Sequence, residues 1–225
     1  MQVTIHQPEH MPWLGFFHKM AQADLFVILD NVQFTKNNWQ NRNKFIDPNG
    51  RVFWLTVPVL TKGHLKTTIK DMEIDYTQKW QKKYWGRLSD SYRHHPYFEK
   101  YAADIKTILD RNYQYLVEIN YQLLHFFRKA LGINNRIVKA SELNPTGKRS
   151  ELLLDICLKT GATSYLSGPS GRDYLTLQIF SERDIEVRFH QFNHPVYESK
   201  HFSPYLSTLD FLMNHGGNNT EIIKN

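Results

Sequence analysis

Val3-Thr4-Ile5-His6-Gln7-Pro8 and Leu25-Phe26-Val27-Ile28-Leu29 stand on either side of a segment, Trp13 to Ala23, whose Leu14, Phe17, Met20 and Ala21 fall at helical spacing. Leu25 to Leu29 is a continuous apolar run with polar ends, the pattern of a strand buried on both faces. Strand, helix and strand in that order predict a βαβ unit, and a parallel sheet to hold it. Pro8 and Pro12 bracket the loop that leaves the first strand.

Further along, Val52 to Val57 reads as a strand stopped by Pro58. Tyr76 to Arg93 and Tyr97 to Leu131 repeat apolar residues at three and four spacing, which predicts two or three amphipathic helices, with a break at His95-Pro96. The strand and helix alternation then resumes. Arg136 to Ala140 reads as a strand, Lys148 to Thr160 as a helix ended by Gly161, and Tyr165-Leu166 as a short strand. Tyr174 to Arg183 reads as a helix, and Ile185 to Phe189 alternates as an edge strand with one wet face does. The expected molecule is one α/β domain over residues 1–225, a doubly wound and mostly parallel sheet, with a helical insertion at about 76–132. A chain of 225 residues with 41% apolar content suffices for one substantial core.

The charge balance, 28 Lys and Arg against 22 Asp and Glu, leaves +6. The basic residues are scattered and not gathered in one run, so a solvated mixed surface is expected over a nucleic-acid stripe; nucleotide sugars, coenzyme A and tRNA all fit as anionic partners. One cysteine, Cys157, excludes an internal disulfide and a cysteine-rich zinc site, and it falls on the inward face of an apolar helix. No leader and no membrane span are expected, and the expected location is cytoplasmic.

In open α/β sheets ligands bind outside the carboxyl ends of the strands. There this sequence places His6, Gln7 and Trp13 after the first strand, and Asp30, Gln33, Trp39, Arg42 and Asn43 after the second. Ser167-Gly168-Pro169-Ser170-Gly171 and then His190 and His194 follow the later strands. An isolated histidine at a strand end ordinarily bonds to backbone. Here His6 enters a proline-bracketed loop opposite Asp30, and a histidine oriented by a carboxylate is suited to proton transfer near neutral pH; Asp30 alone equally suits a turn cap. Asn37 to Asn43 is dense in amide, indole and guanidinium groups, either for a ligand or to satisfy its own loop, with Arg42 the choice for an anion. Ser167 to Gly171 suits phosphate through backbone amides, although it lacks the dinucleotide-binding spacing. Pro145 to Ser150 lacks the first P-loop glycine, Glu142 standing in its place, and reads as a helix start. The spacing of His190, His194 and His201 joins a strand to a loop and predicts no metal site.

Taken together, His6-Gln7-Pro8, Pro12-Trp13-Leu14-Gly15-Phe16-Phe17, Leu29-Asp30, Gln33-Phe34, Asn41-Arg42-Asn43, Leu55-Thr56-Val57-Pro58, Tyr165-Leu166-Ser167-Gly168, Gly171, Tyr174-Leu175, His194-Pro195 and Leu206-Ser207-Thr208-Leu209-Asp210 resemble the WbqC-like family, bacterial proteins associated with O-antigen and other surface-polysaccharide gene sets. The resemblance implies a transferase that adds an acyl or aminoacyl group, such as glycyl, to the amine of a nucleotide-linked amino sugar, with aminoacyl-tRNA or acyl-CoA as donor and no bound cofactor. On that reading His6 and Asp30 are catalytic. Gln7, Trp13, Gln33, Trp39, Arg42, Asn43, Ser167, Gly168, Gly171, Tyr174 and His194 bind substrate. The first βαβ unit is also similar to the nucleotidylyltransferase superfamily of Rossmann-like folds, but Trp13-Leu14-Gly15-Phe16 replaces its His-x-Gly-His signature. A nucleotidylyl enzyme and a non-catalytic nucleotide-sugar binder are the other two readings.

Overall fold

The computed structural model describes residues 1–61 and 66–217. Five strands form a sheet: β1 (Gln2–His6), β2 (Leu25–Ile28), β5 (Arg136–Lys139), β6 (Ser164–Ser167) and β7 (Glu186–Phe189), in the order β5-β2-β1-β6-β7. Every pairing among them is parallel. The sheet is thus an α/β, Rossmann-like one. Helix α1 (Leu14–Ala21) returns β1 to β2, whose four residues are all buried. Alternate residues of these strands feed two cores. Phe26 and Ile28 join Phe17 of α1 on one face, whereas Val3, Ile5, Leu25 and Val27 join Leu153, Ile156 and Cys157 of α6 (Ser150–Thr160) on the other. Each such side chain removed from water contributes about 1.5–3 kcal/mol.

The order places the reversal of the chain's winding direction across the sheet between β1 and β6. The chain leaves β1 toward β2 and β5, then crosses to β6 and β7 on β1's other side. That reversal is the position at which such sheets bind ligands. Strand β7 is at the edge, with Glu186 and Arg188 exposed and paired at 2.7 Å, as its alternation predicts. Gly161, at φ 69°, ends α6 as expected.

Two expectations about elements are corrected and one, the number of helices in the middle of the chain, is settled. Val52–Thr56 (β4) is a strand, but it pairs outside the main sheet, antiparallel to β3 (Arg42–Ile46), a stretch read as loop. Asn43 occupies an inward position of β3 and is fully buried, which disguises the alternation with Phe45. Of the two or three helices expected between Tyr76 and Leu131, three are present, α2 (Trp80–Tyr92), α3 (Phe98–Asp110) and α4 (Leu116–Ala130). The link between α3 and α4 is drawn into backbone pairing with residues 72–74, Ile74 N donating to Gln114 O and Leu116 N to Met72 O. Long-range pairing of this kind leaves no trace in local periodicity. Finally, Tyr174 to Arg183 divides into α7 (Gly171–Tyr174) and α8 (Leu177–Ser181), after the short α5 (Ala140–Leu143) earlier in the chain.

After β7 the described residues run through an irregular stretch to α9 (Thr208–His215), which is buried on most of its surface. Asp210 of α9 is clasped by two phenols, Tyr197 at 2.6 Å and Tyr92 at 3.0 Å. Among the described residues no helix is long and apolar enough to cross a membrane.

Candidate functional site

A cavity of about 720 Å³ opens at the carboxyl ends of β1 and β6, at the reversal point of the sheet. Ile5, His6, Gln7 and Glu9 bring the end of β1 to it, Lys19 comes from α1, and Asn38, Trp39 and Gln40 from the loop before β3. The opposite wall is Arg149 at the start of α6, Tyr165 of β6, and Gly168, Ser170, Gly171, Asp173 and Tyr174 around α7.

His6 is the last residue of β1, and 29% of its side chain is exposed. Its Nδ1 lies 2.9 Å from the Gln7 carbonyl, which only accepts, so Nδ1 carries the hydrogen and Nε2 keeps its lone pair. Nε2 lies 3.9 Å from Oε1 of Glu9. Burial first, and then the neighbouring Lys19, hold the imidazole well below its ordinary pKa, so the ring is neutral at physiological pH.

Glu9 and Lys19 were not singled out by the sequence. Glu9 is 10% exposed in its side chain, and its Oε2 has no hydrogen-bond partner. Burial pushes its carboxyl up to about 7. Lys19 is 3% exposed and donates to Ile5 O at 3.2 Å; burial pushes its amine down to about 7, against the opposing pull of Glu9. The available signal was the length of the buried face. Helix α1 is buried from Leu14 to Met20, so a lysine within it cannot extend to the outer surface and turns to the cavity. Arg149, read as part of a helix start, does start α6, and it reaches the cavity with φ at 52°, a conformation that a residue with a Cβ adopts only at a cost.

Of the residues expected to form the site, His6, Gln7, Trp39, Gly168, Gly171 and Tyr174 line the cavity. The others are elsewhere. Asp30 does not orient His6: its Oδ1 accepts from Ser141 N at 2.9 Å and its Oδ2 from Ser141 Oγ at 2.7 Å and Tyr121 OH at 2.8 Å. It caps the start of α5 and lines a smaller hollow of about 390 Å³ with Lys70, Arg111 and Lys139. Trp13 packs among Phe192, Tyr205 and His194, whose ring it stacks on at 6.4 Å. Both Trp13 and His194 therefore serve the closing segment and not the cavity. Gln33 bridges Thr68. Arg42 donates to Asn37 O and lies over the Trp54 ring at 4.3 Å. Asn43 is buried and donates to the carbonyls of His10 and Met11, so it fixes the loop after β1 and has no donor left for an oxyanion. Ser167 is buried behind Gly171, where an added Cβ would come within 2.1 Å of its Oγ. The Gly171 amide donates to Gly168 O at 3.0 Å and is spent on the turn.

The amide-rich stretch before β3 thus mainly orders its surroundings. Gln40 receives Thr35 N and donates to Gln7 Oε1 at 2.7 Å, and Asn120 of α4 donates to Gln40 O while meeting His10 at 3.0 Å. His190, His194 and His201 do not converge: His190 meets His18 at 2.6 Å, and His201 lies by Gly50. Among the described residues no three His, Cys, Asp or Glu side chains are grouped to hold a metal.

Comparison with known proteins gives the site its context. Residues 7–222 match the model of the WbqC-like protein family. The uncharacterized protein Rv1507c of Mycobacterium tuberculosis (strain ATCC 25618 / H37Rv) is 34% identical over 221 residues, covering 96% of this chain and 94% of its own length. No solved structure matches the chain.

Proposed function

The chain belongs to the WbqC-like protein family, and from that premise we propose that it is a cytoplasmic transferase that adds an acyl or aminoacyl group, such as glycyl, to the amine of a nucleotide-linked amino sugar during surface-polysaccharide assembly. The observation that carries this reading is a neutral His6, with its Nε2 lone pair free, in a cavity at the reversal point of the sheet. About 720 Å³ is of the size that takes a small molecule. An amine must lose protons to become an amide nitrogen, so the site needs a group that accepts them. His6 supplies one. Arg149 takes the part that Arg42 cannot, meeting phosphate at the cavity wall, and Trp39 and Tyr174 offer ring faces to sugar or base. The nucleotidylyl reading is disfavoured by Trp13, which stands where that superfamily has a histidine and is packed away from the cavity.

A thermal-shift series with nucleotide amino sugars, acyl-CoAs, aminoacyl-tRNA and ATP tests the reading, followed by mass spectrometry of the sugar. A ligand at 100 times its Kd stabilises by about 2.7 kcal/mol. The expected result is stabilisation by a nucleotide amino sugar and a product heavier by one acyl group. His6→Asn is expected to lower kcat by about 10²- to 10⁴-fold with affinity little changed. Pyrophosphate release from ATP would favour the nucleotidylyl reading instead, and binding without acylated product from any donor would leave a binding protein.

A further inference from the structure

We propose that Glu9 and Lys19 are catalytic residues that hold one proton between them, taking the first proton from the acceptor ammonium and returning it to the leaving group. This rests on the acyl-transfer reading above and names the groups that handle its protons. Three observations carry it. Both side chains line the same cavity as His6. Both are at least nine-tenths buried, and Oε2 of Glu9 has no partner. Lys19, which as an ammonium would have three hydrogens to place, donates to one carbonyl, that of Ile5. Glu9's ion-pair contact, among the described residues, is His6 and not Lys19. A permanent ion pair would ordinarily close up and satisfy its donors. An open, under-satisfied pair suits groups that exchange a proton.

The charged and titratable groups around them are few. His6 ends β1, His18 lies beside Lys19 on α1, His190 follows β7, and Arg149, Asp173 and the phenols of Tyr165 and Tyr174 stand on the far wall. Burial displaces the carboxyl upward and the amine downward, toward one another. Whichever of the two holds the proton, the pair has no net charge.

The protons balance as follows. The acceptor, R–NH3⁺, gives one proton to the pair, which then holds two. The freed lone pair attacks the carbonyl carbon of an ester or thioester donor, forming the C–N bond and moving the C=O electrons onto oxygen. The nitrogen, now cationic and far more acidic than a free ammonium, loses its second proton to Nε2 of His6, which suits a weakly basic imidazole. Collapse breaks the bond to the leaving group, which departs with the electron pair and takes a proton from Glu9 and Lys19. His6 releases its proton to water.

The test on the intact chain is NMR titration of ¹³C-labelled glutamate and lysine side chains, with Glu9→Gln and Lys19→Met identifying the two signals. One carboxyl and one amine are expected to titrate close to neutrality. In Lys19→Met the Glu9 midpoint should move up, and in Glu9→Gln the Lys19 midpoint should move down. Glu9 titrating as an ordinary carboxylate with Lys19 still charged above pH 10 would overturn the proposal, as would two midpoints indifferent to each other. With a working donor and acceptor, Lys19→Met and Lys19→Arg should each lower kcat by at least about 100-fold. The arginine variant keeps a charge but cannot become neutral, and melting temperatures establish that each variant is folded. Near-full turnover in either folded variant would overturn the role. The titration needs no substrate, so its failure alongside acylated product removes the pair and leaves acyl transfer standing. A successful titration without any acylated product removes the acyl-transfer reading and this catalytic role with it.

Discussion

Lys19 occupies a position that stability alone would give to methionine. Its neighbours on α1 are Phe16, Phe17 and Met20, all buried, and its amine loses hydration for one carbonyl contact. The sign of the cost follows from the direction of the shift. The folded state disfavours the ammonium, so as pH falls from 10.5 to about 7 the unfolded chain takes up a proton that the folded chain resists, and stability is lost across that window. Glu9 behaves oppositely. Its folded state disfavours the carboxylate, so stability is lost as pH rises from 4.5 to about 7. Lys19→Met should therefore melt above the wild type at pH 7, with the advantage shrinking toward pH 10.5; equal melting curves across that range would contradict the assigned burial cost. Cys157 is the contrasting case. It is fully buried against Ile156 and Leu153, and burial pushes its thiol up to about 12, so it holds no reactive thiolate. Cys157→Ser should leave activity intact and cost about 1–3 kcal/mol of stability, whereas rapid inactivation of the native protein by a thiol reagent would show a reactive residue.

At the scale of elements, the β6–α7 connection shows why glycines that look alike in sequence do different work. Gly168 faces open space in the cavity wall, and an added Cβ meets nothing within 4 Å. At Gly171 the same methyl would lie 2.1 Å from Oγ of the buried Ser167 and 3.0 Å from Leu175 Cδ1. Gly168→Ala should leave the melting temperature near that of the wild type. Gly171→Ala should lower it by the roughly 1–3 kcal/mol of an overpacked core, about 2–4 °C per kcal/mol in a chain of this size, with Ser167→Ala recovering part of the loss in the double variant. Equal melting temperatures for the two alanine variants would show that the turn relaxes freely. The sequence marked this segment as part of the site because small residues follow a strand. It did not distinguish the glycine that faces the open cavity from the one that makes room for a serine, because that distinction depends on which side chain lies behind. The same limit applies to Asn43 and Arg42, whose donors suit a ligand in the abstract and are consumed by carbonyls brought close in the fold.

For the whole molecule, the βαβ start, the parallel sheet and the position of the cavity were legible because each depends on local periodicity and on the rule for strand ends. Less legible was the closing segment, which runs from β7 back across the amino-terminal loop. Ser207 N donates to Lys44 O and Thr208 N to Pro12 O, tying α9 to both the β3–β4 hairpin and the loop after β1. Trp13 is the side chain on which this return rests, edge-on to Phe192 and Tyr205, stacked on His194, and close over Gly15. Trp39 has the opposite placement, lining the cavity with a neighbour in Trp54 at 5.1 Å. The two tryptophans, equal as stacking candidates in the sequence, should therefore separate in one pair of measurements. Trp13→Ala removes a hub of the closing segment and should cost toward the lower end of the roughly 3–5 kcal/mol seen for large aromatic deletions, lowering the melting temperature by on the order of 10 °C. Ligand affinity measured well below that melting point should be little altered. Trp39→Ala should barely change the melting temperature, yet weaken the most stabilising nucleotide sugar by the approximately 0.5–1.5 kcal/mol of a lost ring contact, about 2- to 10-fold in Kd. If Trp13→Ala abolished binding in a protein that melted like the wild type, the cavity between β1 and β6 would not be where the sugar binds, and the aromatic group around His194 would take its place.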